Sequence, residues 1–127
     1  MLFDFAVCYG NETQREWFNT DNIVIVDAET HSIYMAGGSI AVVDDFSMRK
    51  FIECCLDFDK GDYLVRQHFR KFEIKNYHSV YVNINHISRY VEQSKFMYFD
   101  DLPNNFHCIE LTDAAVSYFH TAFNYTV

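Results

Sequence analysis

The chain has one proline and four glycines among 127 residues. That shortage excludes collagen-like, proline-rich and low-complexity architectures. Cations are scarce as well: ten Lys and Arg stand against eighteen Asp and Glu, a net charge of −8. Taken whole, that balance argues against a phosphate-rich partner, because phosphate neutralisation needs cations. No apolar run approaches the roughly 20 residues that span a bilayer. The opening residues, Met1-Leu2-Phe3-Asp4-Phe5-Ala6-Val7, place an acid where a secretory leader would have a basic segment. Cys-x-x-Cys pairs, a P-loop, G-x-G-x-x-G, G-x-S-x-G and H-E-x-x-H are all missing. Their absence removes the usual signatures of zinc, nucleotide and hydrolase sites.

What the chain does have is apolar mass. Hydrophobic residues make up 50%, and 13 Phe, 9 Tyr and 1 Trp supply 23 aromatic rings. One folded domain over residues 1–127 is expected, without a membrane segment. The four cysteines are Cys8, Cys54, Cys55 and Cys108. Their mostly apolar surroundings predict reduced thiols and a cytoplasmic setting. A zinc site would need His107, Cys108 and Cys54 or Cys55 to converge, a spacing unlike any standard site. No metal and no cofactor are predicted.

The hydrophobic pattern changes period along the chain. Residues 2–9, 22–27, 31–35 and 39–43 read as strands, with Gly37-Gly38 as a hairpin signal. Met48, Phe51, Ile52, Cys55 and Leu56 then fall at i, i+3, i+4, i+7 and i+8. This is a helical stripe over about 46–58, with Asp45 or Ser47 as its cap and Gly61 as its stop. Residues 63–74 read as a strand and a basic loop. Residues 79–84, 86–92 and 96–99 read as strands, with a turn over 100–105. A last helix is predicted over 113–124, capped by Thr112. Leu111 and Val116 form its staple, and Val116, Phe119 and Phe123 its buried stripe. The fold class is therefore α+β: a twisted, mostly antiparallel β-structure with two amphipathic helices. Residues 23–58 and 87–124 share a strand–strand–strand–helix order, which is also the order of Pur-alpha-like and Whirly-like proteins.

Charge is not spread evenly. Residues 1–59 hold three cations and eleven acids, and residues 96–127 hold four acids and neither Lys nor Arg. Residues 60–95 hold seven cations and three acids, so a basic middle lies between acidic ends. Two stretches inside residues 20–124 resemble the LytTR family of bacterial DNA-binding domains. Asn22-Ile23-Val24-Ile25-Val26-Asp27-Ala28-Glu29 is similar to that family's early strand. Residues 75–87 are similar to the pattern basic-x-His-Arg-Ser-x-x-Val-Asn-x-x-x-Ile. Lys75, Ser79, Val82, Asn83 and Ile87 match, whereas Tyr77-His78 stands where the family has His-Arg.

The resemblance implies DNA as partner, with sheet loops rather than a recognition helix entering the grooves. Arg66, Arg70, Lys71 and Lys75 would hold phosphates. Arg70 or Arg89 would pair with guanine edges, and His78 would add a hydrogen bond. Ser79 and Asn83 would set loop geometry. Tyr77 and Tyr81 would stack on bases if the target were single-stranded. A homodimer stays open. No catalytic residue is assigned, because Asp44-Asp45 and Asp100-Asp101 lie where acids cap and solvate. The competing class is a small acidic inhibitor of the phage or mobile-element kind, anti-CRISPR-like or a DNA mimic. It would bind a nucleic-acid-handling protein through Asp44, Asp45, Asp100 and Asp101.

Overall fold

Alternation makes the first strand. Phe3, Phe5 and Val7 are buried while the residues between them are not, so β1 (Leu2–Tyr9) turns one face to a core. It pairs antiparallel with β2 (Glu12–Asn19) through the Gly10-Asn11 turn. A computed structural model describes residues 1–76, 78–99, 102 and 108–122, the side chains of 119–122 aside. A 3₁₀ turn over Thr20–Asn22 leads into β3 (Ile23–Asp27), β4 (Ser32–Met35) and β5 (Ile40–Val42). Helix α1 (Asp45–Phe51) runs on into a π-helical turn (Ile52–Leu56), and one further helical turn, α2 (Tyr63–Arg66), follows. Then come β6 (Phe69–Ile74), β7 (His78–Asn83), a 3₁₀ turn (Ile84–His86), β8 (Ile87–Val91), β9 (Phe96–Phe99), β10 (Cys108–Glu110) and α3 (Asp113–Ala122). The protein is thus α+β and antiparallel throughout. No described helix is long and apolar enough to cross a membrane.

The strands form three sheets: β1-β2, a five-stranded β5-β4-β3-β7-β6, and β10-β9-β8. All five residues of β3 are buried, because both faces of the five-stranded sheet are covered. On one face Ile23, Val26 and Phe69 pack with Phe3, Phe5, Met48 and Phe51. The Phe51 ring lies 5.0 Å from Phe3 and 5.1 Å from Phe5. On the other face Val24, Ile25 and Phe72 pack with Met97, Phe99, Ile109 and Leu111. A register shift between Ile23 and Ile25 sends those neighbours to opposite cores.

The chain runs twice through hairpin, 3₁₀ turn, three strands and helix. Asn19 and Asn83 each cap their turn, accepting from Asp21 N and Asn85 N at 3.1 Å. Val7 bridges to Val43 just before α1, as Ile74 bridges to Leu111 just before α3. Asp44 caps α1 through Ser47 N, and Thr112 caps α3 through Ala115 N. Each half therefore begins with a hairpin, earlier than residues 23 and 87 suggest.

Several sequence expectations need correction. Strand β2 goes unseen in the pattern because almost all its side chains are exposed, which leaves no period to read. The cap of α1 is Asp44, not Asp45 or Ser47. The stripe of Met48, Phe51, Cys55 and Leu56 is buried, with Ile52 packed against the same core. Its last turn is π, closed by Asp57 N donating to Ile52 O at 2.7 Å. Gly61 follows because a Cβ there would lie 2.6 Å from Asp57 O. Residues 63–66 are helical, since Asp62 accepts from Leu64 N at 2.8 Å and starts a turn. The turn over 100–105, apart from a buried bend at Leu102, and the Phe119 and Phe123 positions of the last stripe lie outside the described residues.

Phe51 is fully buried and Phe58 is 81% exposed. Phe51→Ala is expected to cost about 3–5 kcal/mol, and Phe58→Ala under about 0.5 kcal/mol. A denaturant melt giving equal costs would contradict the helix register.

Candidate nucleic-acid interface

Strand β6 is an edge of the five-stranded sheet, paired to β7 on one side only. Its far end is continued by residues 110–112, through Lys75 N to Glu110 O and Thr112 N to Glu73 O. Near its start the edge opens on a cleft of about 640 Å³. Phe69 and Tyr81 of the sheet line it, together with residues of the π turn, of α2 and of the loop between them, and Tyr118 of α3.

Three cations line it: Arg66, Arg70 and Lys71. Arg70 Nη1 donates to the carbonyls of Gln67 and Phe69 at 2.9 and 2.8 Å, which fixes its guanidinium at the strand start. Lys71 stands opposite Tyr81, its Nζ 5.6 Å from the ring centroid. The Arg66 guanidinium carbon lies 5.2 Å from the Phe58 ring and 5.0 Å from the Tyr63 ring. Those two rings are 81% and 63% exposed. Arg66 Nε is buried and meets no hydrogen-bond partner among the described residues.

Asp57 and Asp59 complete the lining. Asp57 Oδ1 accepts from Asp59 N at 2.8 Å and Lys60 N at 3.1 Å. These two backbone bonds, with the charge of Lys60, hold its carboxyl below the ordinary carboxylate range. Burial first, and the Asp57 charge second, push the Tyr81 phenol above its ordinary value, so it stays neutral.

The other sequence candidates do not gather here. Lys75 lies at the far end of β6, 3.6 Å from Glu110 Oε2. His78 begins β7 with Nε2 3.3 Å from Asp27 Oδ2 and Nδ1 3.9 Å from Glu29 Oε2. Arg89 sits on β8, 4.3 Å over the Tyr98 ring, and does not line the cleft. Asn83 is buried and donates from Nδ2 to Ile23 O at 2.9 Å, a bond that ties the two halves at their crossover.

The acids of the competing reading are occupied locally. Asp44 caps α1. Asp45 lies 2.9 Å from Arg49 Nε and 3.5 Å from His31 Nε2. Asp100 and Asp101 lie outside the described residues, as do Tyr77 and His107.

Phe58, Tyr63 and Gln67 were missed as site residues. The spacing hid Phe58, which stands at i+7 from Phe51 and i+3 from Cys55 and so reads as part of the buried stripe. Among the described residues no three His, Cys, Asp or Glu side chains stand close enough to hold a metal ion. The arrangement offers cationic donors, two carboxylates and exposed rings. No protein-family model and no curated protein sequence matches the chain.

The four cysteines are unpaired to one another; Cys54 is exposed and Cys55 buried. Burial, with the Cys54 and Asp62 charges, pushes the Cys55 thiol up to about 12. Iodoacetamide should therefore modify Cys54 and spare Cys55 in the native protein, while four thiols react in denaturant. Tandem mass spectrometry that finds Cys55 modified first would contradict this packing.

Proposed function

We propose that the chain is a non-enzymatic, intracellular nucleic-acid-binding regulator of the LytTR-like kind, with no cofactor. The observation that carries this reading is the convergence of Arg66, Arg70 and Lys71 on one cleft beside two exposed rings. Arg70 and Lys71 stand on the sheet edge and Arg66 on the helical turn before it. The three cations neutralise phosphates, and release of counterions drives binding. Arg70, held by two carbonyls, is pre-positioned and loses little freedom when a phosphate arrives. Lys75, His78 and Arg89 lie outside the cleft, Lys75 and His78 facing carboxylates, so they contribute less than the basic block suggests.

One feature favours the acidic-inhibitor reading, the net charge of −8. Its named acids within the described residues serve as a helix cap and an ion pair, so it ranks second.

Reversing Arg70 and Lys71 to Glu is the direct test. Gel shift at about 50 mM salt should be lost. In milder Lys71→Ala protein, the slope of log K against log salt should fall by roughly 0.7 on a single strand or 0.9 on duplex per lost contact. A thermal melt must accompany the reversal, because Arg70→Glu also removes two backbone bonds worth about 0.5–1.5 kcal/mol each. Wild-type protein that shifts no nucleic acid at that salt would overturn the proposal. Partner capture weakened by Asp44→Asn with Asp45→Asn, and indifferent to Arg70 and Lys71, would put the inhibitor reading first.

A further inference from the structure

We infer that the cleft beside β6 takes an unpaired nucleotide of a single strand, its base on the rings of Phe58 and Tyr63 and its phosphate against Arg70 and Lys71. This rests on the nucleic-acid reading and narrows it to a substrate class.

Shape is the first reason. The cations line a concavity of about 640 Å³, within the range of sites that enclose a small organic molecule. A duplex presents its phosphates on a convex rod and meets such a cleft only at its rim, where Lys71 is exposed. A single strand can, because its backbone turns freely and its bases are not held in a stack.

The rings are the second reason. Phe58 and Tyr63 are 81% and 63% exposed, so they contribute little burial to the free protein. They are nevertheless held in place, since the Arg66 guanidinium lies about 5 Å from both centroids. A preformed aromatic face beside fixed cations is the arrangement that binds single strands without reading their sequence.

Polar chemistry is the third. Arg66 lines the cleft with a planar guanidinium, a fork of donors that suits phosphate and ribose oxygens. Asp57 and Asp59 also line the cleft and offer acceptors to sugar hydroxyls and base amino groups, although Asp57 Oδ1 already accepts from two backbone N–H groups.

The test measures binding of a fluorescent 12-residue single strand, the same sequence as duplex, and a nucleoside monophosphate as competitor. The single strand is expected to bind at least tenfold tighter than the duplex. Phe58→Ala and Tyr63→Ala should each weaken single-strand binding roughly fivefold to hundredfold and leave the duplex unchanged. Phe58→Trp should restore it. Both residues are exposed, and a thermal melt at the wild-type midpoint checks that the variants are folded. Duplex bound as tightly as single strand, with the ring variants inert, would overturn this inference and leave the nucleic-acid reading standing. A monophosphate that displaces the strand at equal concentration would overturn the strand as the source of the nucleotide. No binding to either polymer would overturn both.

Discussion

Strand β3 must lie dry on both faces, and the rest of the molecule is arranged to keep it so. Its five residues are all buried, and around the register shift after Ile23 its side chains divide, Ile23 and Val26 into one core and Val24 and Ile25 into the other. Each fully buried Ile or Val contributes about 1.5–3 kcal/mol, but only while both faces stay covered. The first hairpin with α1 covers one face, and β8–β10 with α3 cover the other. Asp27 closes the strand as a buried carboxyl, 3% exposed. It is tolerable because Glu29 N and Thr30 N donate to it and His78 lies 3.3 Å away. His78, read from the pattern as a DNA contact, is thus also part of what makes the central strand possible.

That constraint places the cleft. With β3 in the centre, β7 must pair on one side and β4 on the other, and β6 is left at the rim. Edge strands need protection from pairing with other chains, and Lys is a common way to supply it. Arg70 and Lys71 serve that purpose whether or not a ligand is bound. The residues after Ile74 need no such device, because Glu110–Thr112 already continue the ladder there. The cations therefore sit on the part of the edge that the fold leaves open. Asn83 makes the same geometry rigid, since its bond to Ile23 O pins the end of β7 to the start of β3.

Much of this was legible where a residue's neighbours in sequence share its environment. The stripe from Met48 to Leu56 shows its period because one face is buried, and Thr112 caps α3 as its position before an apolar run implies. Legibility fails where that link breaks. The polar residues of β2 owe their strand to pairing with β1, which no local pattern records. Residues 63–66 form one turn, shorter than any period can reveal. The π turn alters a hydrogen-bond spacing while leaving the apolar spacing intact. The site divides the same way. The basic block shows which residues are cationic, but only the bend at Gly61 and the turn of α2 bring Arg66 beside Arg70 and Lys71. Lys75 and His78 meet partners far along the chain, and sequence distance hides such pairs.

The net charge of −8 and the proposed binding of an anion in the cleft are compatible because charge acts at two ranges. At physiological ionic strength fields fade over about 8 Å, so a bound phosphate responds to the charges lining the cleft rather than to the total. Those are Arg66, Arg70 and Lys71 against Asp57 and Asp59. Asp57 is further committed to two backbone N–H groups. At low salt the wider field reaches further, and an acidic protein repels a polyanion as it approaches. Salt then works in opposite senses on the two stages. It weakens the phosphate contacts once made and relieves the repulsion that opposes encounter. An acidic body around a small basic cleft therefore disfavours loose, non-specific residence along duplex, where contact is broad and electrostatic. It penalises less an unpaired nucleotide that enters the cleft, where rings as well as charges hold it.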